Sequence, residues 1–181
     1  MFGNALAADV VGFWREAGPR RWFARDDAFD HEFRERFLAL HYAAARGELA
    51  SWEQSPEGVL GLLILLDQFP RNAFRGTGHM FATDGLALAI ARRALVNGFD
   101  LKIEMQLRPF VYLPYEHAEN LADQDECVRL MTQFGGETLR YAIVHRDVIA
   151  QFGRFPHRNA SLGRDTSVAE QYFLDKGGFS G

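Results

Sequence analysis

With 181 residues, 48% apolar and 24% charged, the chain is long enough to bury a full core, and its composition excludes a disordered or fibrous polymer. A formal charge of -4 disfavours nucleic acid as the main partner, because neutralising phosphates takes a clustered basic excess. The lone Cys127 excludes an internal disulfide and a cysteine-based zinc site.

The first stretch, "MFGNALAADVVGFWREAG", lacks a basic leader and carries Asp9, Arg15 and Glu16 at helical spacing. It predicts a helix over about 5–17, stopped at Gly18-Pro19. The linker "RRWFARDD" then offers Trp22 and Phe23 as plugs. A second helix over about 27–46 repeats Phe29, Phe33, Phe37, Leu40 and Ala44 at steps of three and four, the spacing of one buried face. Ser55, Pro56 and Glu57 open the third with a cap, a preset first residue and a charge that suits the positive helix end. From Val59 to Leu66 that helix is apolar all round, so other helices must surround it, and Gly58 and Gly61 let a neighbour come close.

Further helices are expected over about 79–97 and about 102–112, the latter stopped by Pro114, and then over 118–134 and 137–153. On the last of these, Leu139, Ala142, Ile143, Ile149, Ala150 and Gly153 suggest an apolar stripe that also carries Arg146. Ser167 and Glu170 form the pattern of a capping box for a final short helix. Strand-like alternation is nearly absent. The fold class is therefore all-α, with about seven to nine helices around a buried central helix. No linker marks a boundary, so residues 1–176 read as one domain and 177–181 as a flexible tail. No apolar run approaches the roughly 20 residues that span a membrane, and a cytoplasmic protein is expected.

The candidate site comes from repeated polar phrases. The central helix ends as "LLILLDQFPRN" at 62–72, and "FGRFPHRNASLGRD" at 152–165 repeats Phe-Pro-Arg-Asn with His157 inserted. Asp67 sits where the helix dipole disfavours a carboxylate, so it needs a cationic partner: Arg71, Arg146 or Arg158. In each phrase proline is expected to stop the helix, phenylalanine to anchor the turn, and asparagine to take left-handed geometry or bond nearby backbone. That aims the arginines, either to brace loops or to grip an anion. A third phrase, "RPFVYLPYEHAEN" at 108–120, sets Tyr112, His117 and Glu119 beside acids and prolines, as a cleft wall would.

The leading expectation is a pocket for a small carboxylate or phosphate compound. Arg71, Arg158 and Arg164 would grip the anion, and Asp67 would orient an arginine. Tyr112, Glu119, Arg146, Arg154 and Asn159 would complete the lining. His117 and His157 would be the catalytic candidates, since imidazole titrates near neutral pH, and hydrolytic chemistry is left open. Gly163-Arg164-Asp165-Thr166 before the last helix is a further place for an anion. His117 with Glu119, or His145 with His157, offers metal-ligand atoms, but neither pair has the spacing of a helical zinc motif, so no metal or cofactor is expected. The alternative is a peptide- or protein-binding scaffold without catalysis. A homodimer is left open.

Three phrases together, "LLDQFPRNAFRGT", "PFVYLPYEHAENLADQ" and "HRDVIAQFGRFPHRNASLGRDTS", resemble the bacterial family known as domain of unknown function 924, over nearly the whole chain. The resemblance implies packed antiparallel helical hairpins similar to the tetratricopeptide-like superfamily. It also implies that Asp67, Gln68, Arg71, Asn72, Tyr112, His117, Glu119, His145, Arg146, Asp147, Arg154, His157, Arg158, Asn159 and Arg164 are characteristic positions. The chain departs from the family pattern at Glu116, at Ala118, where the family has serine, and at Thr166-Ser167. It therefore lacks the hydroxyl that a Ser–His pair beside His117 would use.

Overall fold

The computed structural model describes residues 4–180, and among them every regular element is helical. They form two compact units, 4–75 with 79–114, and 76–78 with 115–180.

The first unit contains α1 (Asn4–Ala17), α2 (Pro19–Trp22), α3 (Asp27–Ala45), α4 (Pro56–Leu63), α5 (Phe69–Ala73) and α6 (Asp84–Val96). Asp26 caps α3 through Ala28 N and Phe29 N, and Ser55 caps α4 through Gly58 N, as the sequence signals require. The core is aromatic. Trp14 packs on Phe33 and Phe110, and Phe13 stacks on Phe29 and Phe33. Of the two expected plugs, only Trp22 is buried, with its indole N–H given to Trp14 O at 2.6 Å; Phe23 is 72% exposed. Phe23 instead lies on the outer side of Phe110, stacked at 5.9 Å between ring centres.

Val59 to Leu66 are buried throughout, and α4 packs against α1 and α6. Glycine permits the closest approach. A Cβ on Gly58 would run into the Trp52 carbonyl, 2.8 Å from its carbon, whereas one on Gly61 would meet the Trp52 ring at 3.2 Å.

The rod does not stop at Pro70. It widens into one π turn, Ile64–Gln68, and continues as α5. Phe69 N–H reaches back five residues to Ile64 O, and Pro70 has no N–H to offer the next carbonyl. Side-chain donors bond three carbonyls of this turn: His41 Nδ1 lies 2.9 Å from Leu65 O, Thr83 Oγ1 donates to Leu66 O at 2.5 Å, and Arg71 Nη1 to Asp67 O at 2.7 Å. Asn72 does not adopt left-handed geometry and does not bond backbone there; its amide donates to Asp30 Oδ1 at 2.6 Å, within an acid that also holds Arg75.

Two further boundaries differ from expectation. His79 lies in a 3₁₀ turn, Gly78–Phe81, with α6 starting only at Asp84. The segment after Lys102 is a turn, and α7 (Pro109–Glu116) carries Pro114 inside it. Pro114 removes one backbone bond from a two-turn helix, and burial of Val111, Tyr112 and Tyr115 on that helix outweighs the loss.

The second unit holds α8 (Leu121–Met131), capped by Asn120, then α9 (Gly136–Phe152), which packs on α8, and α10 (Val168–Asp175). On α9 the buried stripe runs Ala142, His145, Val148 and Ile149. Thus His145, not Arg146, occupies the apolar face, and Ile143 points outward. Ser167 and Glu170 make the expected reciprocal capping box. After α10, Gly177 N–H bonds Leu174 O and Gly178 N–H bonds Phe173 O, the paired bonds of a chain reversal that needs Gly177 at φ 76°. This reversal carries Phe179, in the segment expected as a loose tail, onto Phe155 and His145.

Candidate histidine and arginine site

The residues expected to form one pocket are divided between the two units. In the first, fully buried Asp67 lies 3.4 Å from Arg71 Nη1, which confirms one of the three partners expected for it. Arg71 is also clamped in two-pronged fashion by Asp84, at 2.8 and 2.9 Å. Two carboxylates around one guanidinium leave no surplus positive charge, so Arg71 is a brace of the helix end. Tyr112, expected on a ligand, is fully buried and donates its hydroxyl to Asp100 at 2.7 Å.

Beside the π turn, His41 shares a nitrogen-to-nitrogen contact of 3.3 Å with His79. Burial holds the His41 pKa below its usual value and the charge of His79 pushes the same way, against the bond to Leu65 O. The sequence contains a signal for this residue, since position 41 continues the Phe33, Phe37 step of four along α3.

The second unit gathers three imidazoles from three elements. His117 follows α7, His145 stands on the buried face of α9, and His157 lies in the 3₁₀ turn Pro156–Arg158. The His117 and His145 rings are 6.3 Å apart, and the His145 and His157 rings lie 5.6 Å from Phe155. Arg158 is buried, donates to His117 O at 3.1 Å and stacks its guanidinium 4.3 Å from the centre of Phe155. The Phe-Pro-His-Arg-Asn phrase does what the sequence suggests, in that Phe155 anchors the turn and Arg158 is aimed.

His145 Nδ1 lies 2.8 Å from Tyr141 O and 3.4 Å from Glu116 Oε1, so this nitrogen carries the proton and Nε2 is the free base. Burial, reinforced by the charges of His117, Arg158 and His157, pushes the His145 pKa down to about 3 against the bond to Tyr141. The pH consequence follows from linkage. The unfolded chain binds this proton near 6.5 and the folded one only near 3, so the stabilisation is complete above 6.5 and is lost as the pH falls toward 3. Between pH 7 and pH 5 the loss from this group is about 2 kcal/mol. Urea unfolding at the two pH values is expected to show that drop in the wild type and a smaller one in His145→Gln.

The remaining arginines are engaged. Arg164 grips Glu119 at 2.6 and 3.0 Å, which places it on an acid rather than at an anion site before α10. Burial works to raise the Glu119 pKa, but the hydrogen bonds from Arg164 and Phe155 N–H and the charges of Arg164 and Arg158 bring it below the usual range. Arg154 holds Glu170 at 2.6 and 2.9 Å, and Arg146 reaches Asp125 and Asp147 on the surface. Asn159 is buried and bonds Thr166 at 3.3 Å. Sequence reading therefore found the loop that carries Arg158 and His157, and missed the centrality of His145 and the role of Phe179. Cys127 is buried next to Glu116, and burial first, then that acid, raises its pKa far above a reactive thiol's.

Among the described residues no group of three or more His, Cys, Asp or Glu is arranged to hold a metal ion, and no helix is long and apolar enough to cross a membrane. No curated protein matches the chain. Its fold is similar to that of a solved protein of unknown function from Agrobacterium tumefaciens, ATU0120, with 50% identity, a TM-score of 0.94, and coverage of 96% of this chain and 98% of that one. The model of one family matches residues 10–178, spanning both arginine phrases and all three clustered histidines, and the chain belongs to that family, described as bacterial protein of unknown function (DUF924).

Proposed function

We propose that this protein binds a small oxyanion at the histidine and arginine cluster of its second unit, with imidazole available for proton transfer. The reading keeps the anionic ligand expected from the sequence but moves its grips from Arg71, Arg154 and Arg164 to Arg158, chosen because it lies buried against Phe155 beside His117 and His157. The observation that carries it is the packing of His145, His157 and the buried Arg158 guanidinium around Phe155, with the His117 ring set against that of His145. The cluster also holds Glu116, 3.4 Å from His145, and Glu119, on which the Arg158 charge acts, and gathered titratable groups of this kind concentrate where a ligand or a reaction uses them.

Roles follow from chemistry. Arg158 supplies a fixed, always-charged donor set suited to a carboxylate or phosphate. Glu119 and Arg164 clamp the loop, Glu119 through Phe155 N–H at 2.8 Å, so that the guanidinium is held in place. His145, kept neutral by burial, is too weak a base to take a proton at neutral pH and is suited to accept a hydrogen bond at Nε2, which leaves His117 and His157, both half-buried, as the imidazoles proposed for proton transfer.

Titrating inorganic phosphate at pH 7 is expected to shift the ring resonances of His117 and His157, and Arg158→Lys is expected to weaken binding at least about tenfold by loss of paired charged hydrogen bonds. His157→Gln is a second, milder variant expected to weaken it less. Imidazole resonances that phosphate leaves unmoved would count decisively against the reading.

A further inference from the structure

Phe179 occupies the histidine site. Its ring centre lies 4.3 Å from that of His145, 5.3 Å from His157 and 6.3 Å from Phe155. It is only partly buried, unlike Phe155, and it belongs to the small apolar cluster of Val148, Ile149 and Phe155. The chain is steered there by a built reversal. The final helix ends in the paired glycine bonds described above, and Gly178 lies flat on the Phe173 ring, where a Cβ would stand 2.5–2.6 Å from its carbons. Set against two imidazoles and Phe155, the ring covers that cluster through tilted and edge-on aromatic contacts and stays partly exposed. The ring fills an aromatic slot, tilted at 57° to His145 and 59° to Phe155 and edge-on to His157, and Phe155 also carries the Arg158 guanidinium 4.3 Å from its centre.

We propose that the ligand is an oxyanion carried on a flat apolar ring, an aryl phosphate or aryl carboxylate, and that Phe179 stands in the place of that ring until the ligand displaces it. This rests on the oxyanion reading of the same site. The anionic group would meet Arg158, and the ring would take the slot that Phe179 leaves. The chain can swing away at Gly177 without unwinding the final helix, because Ser167 and Glu170 hold that helix at its other end.

The test compares phenyl phosphate with inorganic phosphate by calorimetry, on the wild type, on Phe179→Ala and on a variant lacking residues 177–181. Removing the competing ring is expected to tighten phenyl phosphate at least about tenfold in both variants, while inorganic phosphate changes by less than about threefold. The second variant keeps the experiment decisive if Phe179→Ala folds poorly. Phenyl phosphate affinity that stays level or falls when Phe179 is removed, with inorganic phosphate still bound, overturns the ring slot alone. If neither compound binds any of the three proteins, the oxyanion reading and the ring slot fall together.

Discussion

Replacing Asp67 with alanine is expected to lower the unfolding free energy by about 3 kcal/mol or more, read from urea denaturation. Asp67 is wholly buried, takes a hydrogen bond from the Gln68 amide and faces Arg71 at 3.4 Å. Removing it leaves Arg71 in place beside a vacated acid, in a helix end whose carbonyls depend on Arg71, Thr83 and His41. Arg71 keeps Asp84, so the cost belongs at the lower end of the range for breaking a buried pair. Asp67→Asn preserves shape and one acceptor, and it should lose distinctly less. A loss under about 1 kcal/mol for Asp67→Ala would show that the pair with Asp84 alone holds the arginine.

Gly58→Ala is expected to be the other severe change. The new methyl group would meet backbone, the Trp52 carbonyl, which cannot rotate away as a side chain can. Overpacking usually costs about 1–3 kcal/mol, and a backbone obstacle puts this substitution at or above the top of that range. Gly61→Ala offers the internal control. There the nearest atom belongs to the Trp52 ring at 3.2 Å, a side chain with some room to yield, so a cost of about 1 kcal/mol is expected. Equal losses at the two positions, measured by thermal or urea unfolding, would contradict the distinction between backbone and ring.

Much of the helical plan is legible from spacing. Phe29, Phe33 and Phe37 announce the buried face of α3, and Ser55-Pro56-Glu57 and Ser167 with Glu170 announce helix starts that form where expected. The errors have local causes. Proline in Phe69-Pro70 and in Leu113-Pro114 was expected to end helices, but a π turn in one case and a short, well-buried helix in the other absorb the missing N–H. On α9 the apolar count favoured the stripe through Ile143, because a histidine scores as polar; yet Ala142, His145 and Ile149 carry the burial.

For the site, residue type was legible and pairing was not. Arginine is recognisable as an anion grip from sequence, but whether it is already neutralised depends on acids distant along the chain: Asp84 for Arg71, Glu119 for Arg164 and Glu170 for Arg154. No spacing rule links these partners. Phe179 was hidden for a different reason, since "KGGFSG" has the composition of a free end, and only the bonds from Gly177 and Gly178 show that the two glycines form a directed turn.

The π turn at Ile64–Gln68 has the form that one additional residue takes when it is accommodated inside an α-helix. Since each helical residue turns the chain by about 100°, that single residue re-aims everything beyond it. Without it Asp67 and Arg71 would face a different side of the rod, away from Thr83 and Asp84, and the same letters would spell a helix with its charges pointing at the wrong neighbours. The bearing of the helix tip is thus set by a miscount in the backbone, and shortening that stretch by one position would turn the tip while leaving its composition almost intact.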